Sequence, residues 1–139
     1  GEVVIVDMIG ELFALYSLAA VVYCGGSLVP KGGQNILEPA AWGKVVFYGP
    51  SMEDFLEEKA LLEEAGAGIC VRDERELLEG MKRVLSDPAE LRRRGAEGRK
   101  RVLSSRGAAE RYAGMIVRVL GGRTRDASGK QDGPGKHCP

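Results

Sequence analysis

A chain of 139 residues, 44% of them hydrophobic, holds enough apolar side chain for one ordinary domain with a core and no more. Lysine plus arginine balances aspartate plus glutamate at 20 each, so no global field draws the chain to nucleic acid. Cys24, Cys70 and Cys138 lie far apart without C-x-x-C spacing, which argues against a disulfide framework or a cysteine-based zinc site and fits a reducing compartment. No apolar run approaches the roughly 20 residues that span a bilayer, and no secretory leader is recognisable.

In chain order, short β-branched runs alternate with helical patterns. Glu2–Val6 reads as a strand, 11–19 as a helix, Val21–Tyr23 as a strand, 35–42 as a helix, Val45–Tyr48 as a strand, 54–65 as a helix and 68–71 as a strand. This rhythm predicts an α/β fold built on a Rossmann-like parallel sheet with flanking helices. The runs at 21–24 and 45–48 are almost continuously apolar, as in central strands covered on both faces. Beyond Asp73 the pattern is helical only, so the C-terminal end is expected to be all helix. Leu77, Leu78, Met81, Val84 and Leu85 form one apolar stripe; a second helix covers 89–104 after Asp87-Pro88; a third covers 108–120 and ends at Gly121-Gly122. Residues 1–122 are thus read as one domain. Residues 123–139 carry no apolar periodicity and are read as a disordered tail. The chain opens on Gly1, directly in a strand-like run, and is expected to be a piece whose upstream sequence is missing.

The densest chemical signal is CGGSLVPKGGQNILEPAAWGKVVFYGP, from Cys24 to Pro50. Two Gly-Gly pairs bracket a loop between a strand end and a helix start, where free N–H groups and the helix dipole favour a phosphate. A second, less favoured reading is that the same glycines only supply turns with positive φ. Asn35 and Glu38 also carry two readings. One is a helix cap with its N3 acid; the other is a carboxylate that accepts both hydroxyls of a ribose. Gly10 and Glu11 follow the first predicted strand at another strand-to-helix edge, with a turn glycine and a first-turn acid as the plainer reading. His137, the one histidine, lies in the tail, so the body offers no imidazole for acid–base work, and no catalytic residue is assigned. Cys24, Cys70, Met81 and Met115 read as core fillers. Arg92-Arg93-Arg94 and Arg99-Lys100-Arg101 read as a solvated face interleaved with Glu90, Glu97 and Glu110, the other reading being contact with anionic lipid.

DMIGEL, VVYCGGSLVPKGGQNILEPAAWGK, VVFYGP and the Gly66-Ala67-Gly68 turn together resemble the C-terminal half of the Kdo (3-deoxy-D-manno-octulosonic acid) transferases, from about Val3 to Leu120. The string GGSLVPKGGQNILEPAAWG is the most specific part. The resemblance implies a GT-B fold, of which this chain is the N-terminally truncated C-terminal domain. It implies inverting transfer of Kdo from a CMP-Kdo donor to a lipid A precursor in lipopolysaccharide core assembly, at the cytoplasmic face of the inner membrane. It implies no cofactor and no metal, and a carboxylate base in the N-terminal domain, which also brings the acceptor and the membrane association. Carried over by position, the family's GEL motif falls on Gly10, Glu11 and Leu12, and its N-(L/I)-L-E motif on Asn35, Ile36, Leu37 and Glu38; both are implied contacts to CMP. Gln34 stands where the family usually has histidine, and Ser51 and Asp54-Phe55 stand where it has histidine or tyrosine and Asn-Phe. Two other readings accompany this one: another GT-B UDP-sugar transferase or epimerase, which should lack the GGSLVPKGGQN string, and a non-catalytic nucleotide-binding module.

Overall fold

The computed structural model describes residues 1–7, 9–105 and 108–122. The readings placed on Met8 and on the segment 123–139, with His137 and Cys138, lie outside these residues.

A short helix α1 (Leu12–Leu15) runs on into a 3₁₀ turn (Tyr16–Leu18) and is followed by β1 (Val21–Tyr23). Helix α2 (Leu37–Ala41) and β2 (Val45–Tyr48) come next. A 3₁₀ turn (Glu53–Phe55) leads into α3 (Leu56–Glu64), then β3 (Gly68–Cys70). Three helices close the chain: α4 (Glu74–Leu85), α5 (Pro88–Ser104) and α6 (Ala108–Gly122).

The sheet has the order β1-β2-β3 among the described residues, and both pairings are parallel, with Val22 opposite Val46 and Val46 opposite Gly68. Parallel neighbours need a crossover, and α2 and α3 supply the two. All four residues of β2 are buried. Val46 and Tyr48 point into the larger core, with Ala40 and Ala41 of α2, Leu62 of α3, Val102 of α5 and Tyr112 and Ile116 of α6. Val45 and Phe47 point the other way and pack with Val71, Leu77, Met81 and Val84. Helices therefore cover both faces, which is why β2 is continuously apolar rather than alternating.

The structure corrects several expectations. Residues 2–6 are not a strand: among the described residues they join no sheet, and Val3 and Ile5 are each 88% exposed. A β-branched run becomes a strand only beside a neighbour that takes its backbone hydrogen bonds. β1 is an edge strand with three half-buried residues, so only β2 matches the central-strand expectation. In α4, Leu77, Met81 and Val84 face the core, but Leu78 and Leu85 lie at the edge of the stripe and remain exposed. Cys24 is buried, whereas Cys70 is exposed at the end of β3 and is not a core filler. The long α5 starts where expected: the Asp87 carboxylate accepts from the Ala89 and Glu90 amides at 3.1 and 3.0 Å, and Pro88 occupies the first turn.

Candidate functional site

The strand-to-helix connection from Cys24 to Ile36 is held by side chains that the sequence reading left unassigned. Ser27 is fully buried; its hydroxyl donates to the Cys24 carbonyl at 2.5 Å and accepts from the Gly49 amide at 2.8 Å. Its own carbonyl accepts from the Ser51 amide at 2.9 Å. Ser51 then binds the loop from the other side, its hydroxyl accepting from the Gly32 amide at 3.0 Å and donating to Glu53 at 2.9 Å. The loop is thus fastened to residues 49–53, beyond the end of β2. Gly32 and Gly33 both have φ of +77°, and a side chain at either would collide with Asp54 or Met52. The second Gly-Gly pair therefore serves turning and close packing. Gly25, by contrast, is exposed with open space around it.

Fixing the loop leaves a cleft of about 400 Å³ at the carboxyl end of β1, on the α2 side of the sheet. That is the size range of small-ligand sites, and the carboxyl edge of a parallel sheet is where such sites form. Leu12 and Tyr16 form one wall; Tyr23, Cys24 and Gly25 form the floor at the strand end; Gln34, Asn35, Ile36 and Glu38 form the opposite wall.

The polar groups of the second wall are oriented by one another. Asn35 Oδ1 accepts from the Leu37 amide at 3.0 Å, an Asx turn that leads into α2. With its oxygen so committed, the Asn35 amide nitrogen is directed to two acceptors, Tyr112 Oη at 3.2 Å and Glu38 Oε1 at 3.4 Å. The N-cap position of α2 is Ile36, so Asn35 is not the helix cap that the sequence suggested and Glu38 is not its N3 acid; Asn35 stands one residue earlier, and Glu38 meets its side chain. Across the cleft, burial raises the pKa of the Tyr16 hydroxyl, with the charges of Glu38 and Cys24 adding to the shift. Tyr16 therefore stays a neutral donor at physiological pH. Burial likewise keeps the Cys24 thiol protonated, with its Sγ 3.6 Å from the Gln34 carbonyl. The cleft offers donors from Tyr16 and Gln34 and one carboxylate acceptor, Glu38.

Of the residues singled out from sequence, Leu12, Asn35, Ile36 and Glu38 meet in this cleft. Leu37 turns into the larger core. Gly10, with φ of +95°, and Glu11 are exposed at the start of α1, outside the cleft lining, and the Glu11 carbonyl accepts from the Leu15 amide at 3.1 Å. Sequence reasoning missed Tyr16, Tyr23 and Tyr112. Tyr16 stands four residues after Leu12 and so on the same side of a helical turn, a spacing that carried the signal. No group of three or more His, Cys, Asp or Glu side chains among the described residues is placed to hold a metal ion.

A three-stranded parallel sheet with helices on both faces and a cleft at the strand ends is the layout of a GT-B C-terminal domain. The chain superposes on the crystal structure of the C-terminal CMP-Kdo binding domain of WaaA from Acinetobacter baumannii with a TM-score of 0.64 and 29% sequence identity, over 69% of this chain and 50% of that one. No family model matches the chain. Among curated proteins it is 39% identical over 92 residues to the 3-deoxy-D-manno-octulosonic acid transferase of Aquifex aeolicus, covering 66% of this chain and 26% of that protein. It is 32% identical over 120 residues to the enzyme of the same name from Haemophilus influenzae, covering 86% of this chain and 28% of that protein. The chain spans about a quarter of the length of these relatives. In sequence and in fold, the chain is similar to the C-terminal part of the Kdo transferases.

Proposed function

We propose that this chain is the donor-binding part of a Kdo transferase and that its cleft holds the cytidylate of CMP-Kdo. The observation that carries the reading is the meeting of Asn35, Ile36 and Glu38 with Leu12 in one cleft of nucleotide size at the carboxyl end of β1. The likeness to a domain described as CMP-Kdo binding supports it. Glu38, steadied by the Asn35 amide, suits the two ribose hydroxyls, since a carboxylate accepts two hydrogen bonds side by side. The exposed Gly25 backbone suits close approach of a phosphate. Tyr16 and Tyr23 offer ring faces to a base. Gly10 and Glu11 complete the GEL segment and would close on the donor from the α1 side.

In this reading the parent enzyme passes Kdo to a lipid A precursor at the cytoplasmic face of the inner membrane, with inversion at the anomeric carbon. Cytidylate is already a good leaving group, so the transfer requires no cofactor. The catalytic base and the acceptor site belong to an N-terminal domain. No helix among the described residues is long and apolar enough to cross a membrane, so this part makes no membrane span of its own from those helices.

Calorimetric titration with CMP, UMP and UDP tests the assignment. The chain is expected to bind CMP selectively, and Glu38→Ala to weaken it by about 10- to 100-fold, the loss of one or two hydrogen bonds to a charged acceptor. Equal indifference to all three nucleotides would reject a cytidylate site.

A further inference from the structure

Tyr112 lies on α6, 77 residues beyond Asn35 and outside both motifs, yet it is tied to each wall of the cleft. It is 2% exposed, in the larger core. Its hydroxyl accepts from the Asn35 amide nitrogen at 3.2 Å, the nitrogen that also faces Glu38. Its ring stacks on Phe13 with centroids 6.2 Å apart and planes 10° apart, and Phe13 follows Leu12 in α1. Phe13 in turn contacts Trp42, just after α2, at 5.6 Å.

From these contacts we infer that Tyr112 is a positioning residue for the donor cleft, holding the Asn35 amide so that it presents Glu38 and fixing the α1 wall relative to α2. The inference rests on the donor-site reading given above and extends it to a helix from which none of the described residues lines the cleft. The physical reason is geometric. Asn35 Oδ1 is committed to the Leu37 amide, so the two Nδ2 hydrogens need two acceptors, and Tyr112 and Glu38 are those acceptors. Without the hydroxyl, a half-buried donor loses its partner and the amide is free to tilt from Glu38.

Tyr112→Phe removes the hydroxyl and keeps the ring stacked on Phe13. CMP affinity is measured for the wild-type chain, Tyr112→Phe, Asn35→Ala and the double variant. The expected result is a loss of roughly tenfold from Tyr112→Phe in the wild-type background and less than about twofold in the Asn35→Ala background, because the hydroxyl acts through the amide. The same factor in both backgrounds, or no loss in the first, overturns the inference. The Asn35 side-chain amide signals, followed by NMR without nucleotide, separate this outcome from failure of the functional reading. Faster exchange of those protons with water in Tyr112→Phe supports the positioning role even if the wild-type chain binds no CMP, and unchanged exchange overturns it.

Discussion

Ser27 and Gly49 show how single residues build a binding loop without touching a ligand. Gly49 follows β2, and a Cβ there would run into the Ser27 carbonyl and the Leu28 amide, both backbone. Backbone cannot rotate aside as a side chain can, so the two segments approach this closely only with glycine present. Ser27 completes the arrangement from within, its buried hydroxyl bridging the Cys24 carbonyl and the Gly49 amide. Gly49→Ala is therefore expected to destabilise the chain by about 2–3 kcal/mol, read as a lower urea midpoint, the cost of overpacking a site that cannot relax. Little or no loss would show that residues 24–34 are held less tightly to 49–53 than these contacts state. Glu38 and Asn35 were legible as a pair because residues three apart at a helix start lie side by side. Their partner was not, since nothing in the local pattern of α6 distinguishes Tyr112 from any other core aromatic.

At the scale of elements, α5 is the helix against which the rest is packed. Gly95 and Gly98, which would cost stability inside an isolated helix, allow it to lie against its neighbours. A Cβ at Gly95 would strike the Gly43 carbonyl, and one at Gly98 would sit 2.5 Å from Ala67 Cβ. The first turn of α5 carries a different device. Glu90 receives Arg93 at 2.7 Å and Arg94 at 2.9 Å, and these hydrogen bonds lower its pKa from 4.5 to about 2. The charges that a sequence reading sees as one basic cluster are thus partly spent on Glu90. A carboxylate with a depressed folded-state pKa contributes stability that is fully present above its unfolded value and is lost as pH falls towards the folded one. The contribution of Glu90 should hold above about pH 5 and decline between roughly pH 4.5 and pH 2. Comparing urea midpoints of wild type and Glu90→Gln from pH 7 to pH 2.5 checks this: the gap should narrow with acid and also with added salt, because the pair is exposed. A gap that does not change with pH would mean that the pair adds nothing.

For the whole molecule, the cleft supplies the Glu38 carboxylate as acceptor and hydroxyl and amide donors, and none of the described residues lining it stands out as a base for deprotonating an acceptor. The chain also spans about a quarter of its relatives' length. It is expected, by itself, to bind CMP and to release none from CMP-Kdo in the presence of a lipid A precursor, with release assayed chromatographically. Turnover by the chain alone would place a base within these residues and return Glu11 and Glu38 to consideration as catalytic groups.

The sequence by itself determined what depends on neighbours along the chain. The strands of apolar residues at 21–23 and 45–48, the start of α5 at Asp87-Pro88, the three closing helices and the Asn35–Glu38 pair all follow from local spacing and helix-start chemistry. The family resemblance was equally legible, because GGSLVPKGGQNILEPAAWG is a long ordered string. Only the tertiary structure decided which partners lie far apart in sequence. It left residues 2–6 unpaired despite their β-branched composition, because a strand is a property of two segments. It exposed Cys70 by putting it at the end of a strand, packed Gly32 and Gly33 against Asp54 and Met52 in left-handed turns, and brought Tyr112 across 77 residues to the amide of Asn35. Such contacts arise when helices and sheet close on a shared core, and no local window of sequence contains both halves of them.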